Sequence, residues 1–199
     1  MADFTPIIRL KLKEAFEDQH MFQEVECDAD YLKHLFEWTD RGSIFIHDDK
    51  TKGFSTFVTD TKGLGSEKTF RVSNKNHKDL FLWHIDGVLY NKGSKCDCAF
   101  LTKGYMGFVE FKSNAANNTE AAIKDNYDKA KSQLWLTIQD VVDRCKKVEI
   151  DLMESSTLEA YAVFNRTVPR HNAYQKNLAA RFLLETEGIP LYFRSDAEI

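Results

Sequence analysis

The sequence predicts a mixed α/β fold, a central β-sheet flanked by helices, and three stretches carry that reading. The first is 95–113, KCDCAFLTKGYMGFVEFKS, two short apolar runs joined by Thr102-Lys103-Gly104-Tyr105. Such runs around a Lys-Gly turn read as paired strands. In the second, Ile123, Tyr127, Ala130, Leu134, Ile138, Val141 and Cys145 recur at helical spacing, one apolar stripe along a long helix. The third is a C-terminal succession of strand (158–165), amphipathic helix (about 171–186) and strand (189–194). A strand–helix–strand unit brings the chain back parallel to its start, so the sheet is expected to be mixed.

Taken in order, Thr5-Pro6 reads as the cap and first turn of a helix with Ile8, Leu12, Ala15 and Phe16 on one side. Residues 8–13 also alternate as a strand would, but 14–19 are strong helix formers. Asp30 reads as the cap of a short second helix whose apolar face is Leu32, Leu35 and Phe36. Three short strands follow, SIFIHDD, FSTFVTD and KTFRVSN, separated by Thr-Lys-Gly and Gly-Leu-Gly turns, a β-meander over 43–75. FLWHIDGVLY (81–90) reads as a strand that turns at 91–94 into the strand holding Asp97. Asn118 or Thr119 caps the long helix. Glu120 in its first turn and Arg144, Lys146 and Lys147 in its last suit the helix dipole. The second amphipathic helix follows Pro169, carries Tyr174, Leu178, Ala179, Phe182 and Leu183, and ends at Gly188. The chain is expected to form one domain, with 1–78 an N-terminal elaboration and 79–199 the core.

Composition sets the outer limits. A 43% hydrophobic fraction with 15 Phe suffices for a substantial core. No apolar run reaches the roughly 20 residues of a membrane span, and the N-terminal stretch lacks the apolar block of a signal peptide. A cytoplasmic, membrane-independent protein is expected, with its four cysteines as free thiols or metal ligands. The net charge of −4 argues against a broadly basic nucleic-acid coat. Basic residues nonetheless outnumber acids over 50–112, whereas acids dominate 113–160. A basic face around an acidic pocket suits a phosphate-backbone substrate; solvated Lys-rich loops are the plainer reading.

The chemistry concentrates in 95–113. Glu110 and Lys112 stand two apart and share a strand face, while Val109 and Phe111 take the other. Pairing around the turn brings Asp97 toward them. Charges on an apolar strand are costly unless paired or metal-bound. A cross-strand ion pair on a solvated face is the alternative, against which the apolar flanks weigh. His84 and Asp86 are placed on one face of the preceding strand, as accessory ligands or, the plainer reading, as a hairpin Asp and a satisfied His. Cys96 and Cys98 flank Asp97 and are expected to point away from it, together; with His84 and Cys145 they could form a zinc site, but buried thiols are the simpler reading. No Gly-rich phosphate loop or nucleophile elbow is present.

Asp97, twelve residues, then Glu110-Phe111-Lys112 resembles the active-site signature of the PD-(D/E)xK nucleases, over less than half of the chain. Lys95-Cys96 precede the Asp where a Pro stands in part of that family. The resemblance implies a restriction-endonuclease-like core that hydrolyses DNA, or less readily RNA, using Mg²⁺ or Mn²⁺. It implies Asp97, Glu110 and the Phe111 carbonyl as metal ligands, Lys112 as the residue that serves the attacking water, and Gln133 on the following helix facing the site. It also implies an acid from an early helix, with Glu14, Glu17 and Glu37 as candidates. A homodimer or a protein partner is expected to supply further substrate affinity. The alternative is a catalytically silent nuclease-fold component of a larger defence or mobile-element system.

Overall fold

The computed structural model describes residues 11–19, 22, 33–112, 119–165 and 172–199. Thr5, Pro6, Ile8, Asp30, Leu32, Asn118 and Pro169 lie outside these. Helix α1 (Leu12–Ala15) leads into strands β1 (Phe36–Thr39), β2 (Ser43–Asp49), β3 (Phe54–Val58), β4 (Thr69–Ser73) and β5 (Leu80–His84). The hairpin β6 (Cys98–Thr102) and β7 (Tyr105–Lys112) precedes the long helix α2 (Glu120–Lys147). Helix α3 (Leu152–Ser155), β8 (Thr157–Phe164), α4 (Ala173–Glu185), β9 (Leu191–Tyr192) and β10 (Asp196–Glu198) complete the chain.

The strands form a six-stranded sheet ordered β1-β5-β6-β7-β8-β9 and a four-stranded sheet ordered β10-β4-β2-β3. In the large sheet the pairings from β1 to β7 are antiparallel, and those from β7 to β9 are parallel. The expected mixed sheet and its parallel C-terminal pair are therefore present. The hairpin closes as expected, with Thr102 opposite Tyr105 and Gly104 at φ 71°. A positive φ is easy only for glycine at such a turn.

The large sheet is buried on both faces, which is why its strands read as continuous apolar runs. Phe81, Trp83, Ala99, Leu101, Met106, Phe108, Ala160 and Ala162 pack under the helices. Leu82, Cys98, Phe100, Val109, Phe111, Tyr161 and Val163 pack against Ile44, Ile46, Phe70 and Val72 of the small sheet. The α2 stripe lies where the spacing puts it: Tyr127, Ala130, Leu134, Ile138, Val141 and Cys145 are buried, with Ile123 at the margin. Thr119 caps the helix by accepting from the Ala122 N–H at 3.3 Å. In α4, Leu178 and Phe182 are buried, but Leu183 faces outward.

Four expectations are corrected. Phe36 does not extend a helix; it opens β1, which pairs antiparallel with β5 and stacks Phe36 on Trp83. The 43–75 strands are not a simple meander, because β2 lies between β3 and β4. The 59–68 connection is long enough to carry β4 to the far side of β2. The 81–90 strand stops at His84, since the Tyr90 N–H donates to the Ile85 carbonyl and the Gly87 N–H to the Tyr90 carbonyl, forming a tight loop. The last strand shortens to Leu191–Tyr192, after which β10 crosses to the small sheet and runs parallel to β4. Among the described residues no helix is long and apolar enough to cross a membrane.

Gly107 marks the tightest point between the layers. A Cβ there would lie 2.4 Å from Phe100 Cζ and 3.1 Å from Tyr161 Cε2. Phe100 is itself wedged among Phe70, Tyr105 and Tyr161, so its ring has no room to retreat. Gly107→Ala is expected to destabilise by about 1–3 kcal/mol through overpacking, read as a lowered thermal midpoint. Adding Phe100→Leu should recover part of that loss, and strict additivity in the double-mutant cycle would contradict the clash.

Candidate functional site

Alternation along β7 puts Met106, Phe108, Glu110 and Lys112 under α2, and Val109 and Phe111 against the small sheet. Glu110 is 2% exposed. Its Oε1 accepts from Lys112 Nζ at 2.5 Å, while Oε2 is buried without a hydrogen-bond partner. Lys112 also donates to Gln133 Oε1, and Gln133 Nε2 donates to the Lys95 carbonyl at 2.8 Å. Gln133 thus ties the ammonium of β7 to the segment that precedes β6. The pairing fixes its amide orientation, since one end must accept and the other donate.

Asp97 stands one residue before β6, not inside it. The position matters: β6 has ended, so the Phe111 N–H finds no backbone partner on that side and donates to Asp97 Oδ2 at 2.6 Å. A strand residue presents its N–H and C=O to the same edge, so the Phe111 carbonyl also faces the Asp97 side. The segment carrying Asp97 is docked on the polar flank of α2. Thr137 Oγ1 accepts from the Cys96 N–H at 2.8 Å, and Asp140 accepts from the Tyr90 hydroxyl and, at 3.4 Å, from Lys95 Nζ. Arg144 reaches Asp140 at 3.0 Å, Asp18 and the Ala15 carbonyl, joining the helix α1 region to the same flank.

Burial pushes the Asp97 carboxyl up to about 7, partly offset by the Phe111 N–H, with Asp48 and Asp86 adding to the rise and Lys50 opposing it. Glu110 is raised well above its ordinary value, first by burial and then by the charge of Asp97, against the pull of Lys112. Two carboxyl groups thus share a water-poor corner in which ionising both is unfavourable. Sequence reasoning missed Asp48 and Lys50. Asp48 lies on β2 with Ile44 and Ile46 on the face turned to the large sheet, 5% exposed, and pairs with Lys50 Nζ at 2.9 Å. The alternation within SIFIHDD marked Asp48 as inward; nothing in it indicated which sheet it would meet.

The accessory expectations divide. Asp86 stays near the site: its N–H donates to the Asp97 carbonyl at 3.2 Å, and it is exposed. His84 faces the small sheet instead, stacked on Phe54 with ring centroids 4.6 Å apart and Nδ1 2.8 Å from the His34 carbonyl. Glu37 joins His84, not Glu110, and accepts from Thr56 Oγ1 and the Phe57 N–H. Although burial works the other way, those partners hold its pKa below the usual value. Glu14 and Glu17 are exposed on the α1 side. Cys96 and Cys98 do not point together: Cys96 lies in the helix-side core and Cys98 between the sheets, because the chain bends before β6 begins. Both thiols are raised by burial, and burial pushes Cys145 up to about 12.

Among the described residues no three His, Cys, Asp or Glu converge to hold a metal, which leaves the zinc reading without a site. Asp97 and Glu110 offer carboxylate oxygens, the donors a hard divalent cation takes. Mg²⁺ binds through one or two carboxylates and keeps several waters. The unpartnered Glu110 Oε2 and the Phe111 carbonyl, turned to the Asp97 side, are oxygens of that kind.

The raised Asp97 pKa has a definite sign. The folded protein binds this proton more tightly than the unfolded chain, so stability is full below about pH 4 and declines as pH rises toward about 7. In chelator at pH 8, Asp97→Asn, which retains an acceptor for Phe111, should melt several degrees above wild type. The gap should close near pH 4, whereas a pH-independent difference would contradict a buried acid at this position.

Compared with family models, curated proteins and solved structures, the chain matches none. The likeness to PD-(D/E)xK nucleases therefore rests on Asp97, Glu110 and Lys112 and on the places they occupy.

Proposed function

We propose that this protein is a divalent-metal-dependent nuclease, hydrolysing phosphodiester bonds of DNA in preference to RNA, on a restriction-endonuclease-like core. The observation that carries this reading is the corner at the ends of β6 and β7: two carboxyl groups beside a lysine whose ammonium is held by Gln133. The order β5-β6-β7-β8 supports it, with antiparallel neighbours up to β7, α2 between β7 and β8, and a parallel return.

Asp97 and Glu110, with the Phe111 carbonyl, would hold Mg²⁺ or Mn²⁺. When bound, that ion supplies positive charge to polarise the phosphate and lower the pKa of a water. Lys112 would orient the attacking water and counter the charge that grows on the phosphate oxygens. Gln133 keeps Lys112 from swinging wholly onto Glu110, since its amide oxygen takes one of the three ammonium hydrogens. Asp97 is positioned through Thr137, Asp140 and Tyr90, which hold the segment before it.

The test is cleavage of linear and circular DNA and of RNA, single- and double-stranded, with Mg²⁺ or Mn²⁺. Wild type should cut. Glu110→Gln and Lys112→Met should each lose at least ~10²-fold, and Gln133→Ala about 10- to 100-fold, as expected for a residue acting through another. A folded wild type that neither cuts nor shifts its melting temperature with Mn²⁺ would remove the catalytic reading in favour of a non-catalytic binding component.

A further inference from the structure

The β2–β3 turn lies beside the candidate site, against the loop that follows β5. Its backbone closes through Gly53 N–H to the Asp49 carbonyl at 2.9 Å, and Asp49 Oδ1 accepts from Thr51 N–H at 2.9 Å and Thr51 Oγ1 at 2.6 Å. The turn is seated on the loop after β5. A Cβ on Gly87 would lie 2.5 Å from the Gly53 carbonyl oxygen, so the two backbones touch where only glycine fits. Asp86, next to Gly87, binds the backbone of Asp97. The stack of Phe54 on His84 fixes the start of β3 to the end of β5. The turn is held on both sides.

We infer that Lys50 is a second substrate-contacting cation of this site, placed to grip a non-bridging oxygen of a nucleic-acid phosphate beside Asp97 and Glu110. The inference rests on the nuclease reading above and adds to it a wall contributed by the small sheet. The other nearby lysines are engaged: Lys112 by Glu110 and Gln133, Lys95 by Asp140, Lys52 by Thr56. Lys50 is engaged as well, by Asp48, but unlike Lys112 and Lys95 it stays open to solvent. Its side chain is 58% exposed, yet its base is fixed by the turn and its ammonium is steered by the buried Asp48 at 2.9 Å. Although burial opposes its charge, Asp48 and then Asp97 and Glu110 hold its proton more firmly than in water, so the ammonium senses both carboxylates of the site. A cation that is solvent-facing, tethered and next to the site suits a phosphate that must approach two acids.

The probe is a short fluorescein-labelled DNA duplex, bound by the full chain with Ca²⁺ and followed by anisotropy across a salt series. Lys50→Gln should weaken binding about tenfold and reduce the slope of log affinity against log salt by about 1. Its melting temperature should fall, because the buried Asp48 loses its cation, so binding is measured well below that transition; its shift with Mn²⁺ should stay near wild type, and Lys50→Arg should restore the slope. In Mn²⁺ the Gln variant should cut with a raised KM. Binding and cleavage by wild type with an unchanged slope in Lys50→Gln would overturn the inference and leave the nuclease reading standing. A wild type that neither binds nor cuts would overturn both.

Discussion

Glu110 is a carboxyl group on a strand with both faces covered, and the structure around it answers to that burial. Water cannot solvate it, so it is met by Lys112 on its own strand, while Gln133 on α2 steadies the ammonium. Even so Oε2 remains unpaired, at a cost of about 1–3 kcal/mol for a buried unsatisfied group. Stability alone gives no reason for such an arrangement, because a well-packed apolar pair of similar volume often serves a fold as well or better than a buried ion pair. A second carboxyl at Asp97 makes the corner more expensive still. Under the proposed function, a bound divalent cation would offset that cost by taking oxygens from both carboxyl groups.

The corner exists because β6 begins late. Were β6 extended backward by a residue or two, a backbone carbonyl would meet the Phe111 N–H and Asp97 would lie within the ladder. Instead the chain from Tyr90 to Asp97 leaves the sheet and lies along α2, fixed by Asp140, Thr137 and Gln133 at successive turns of the helix. The same helix buries Tyr127, Ala130, Leu134, Ile138 and Val141. One face of α2 packs the core and the flank beside it positions the site, so the site inherits the rigidity of the longest element in the fold. The Arg144 contacts with Asp18 and Asp140 extend this flank to the α1 region.

Much of this was legible in the residues. The α2 stripe, the Lys-Gly hairpin, the β8–α4–β9 return and the shared face of Glu110 and Lys112 all follow from local periodicity, and each is present in the structure. Gln133 was also legible as a residue flanking the stripe. What failed was whatever depended on which strand meets which. Period-two alternation names a face but not its neighbour, so nothing in the 43–75 strands pointed Asp48 at the site, while His84, open as a ligand or a satisfied histidine, meets the His34 carbonyl and Glu37. Phe36 and Glu37 are apolar-then-acidic in a helical context, and only pairing with Trp83 and Leu82 makes them a strand. The bend between Cys96 and Cys98 comes from tertiary docking on Thr137, and no propensity in KCDC announces it.

The two flanks of the corner differ in kind, and that difference bears on how such a site would work. On the helix side Lys112, Gln133, Thr137 and Asp140 have fixed partners and little access to water. On the small-sheet side Asp86 is open to solvent, and Lys50 extends past the buried Asp48. A closed side holds reacting groups in one geometry, which proximity effects require, and an open side admits a long polymer. Under the proposed function, nucleic acid would not thread under α2, where Glu110 is sealed, and would approach from the β2–β3 turn. The sheet that looks like an addition to the core in sequence is therefore the side from which a substrate would meet it.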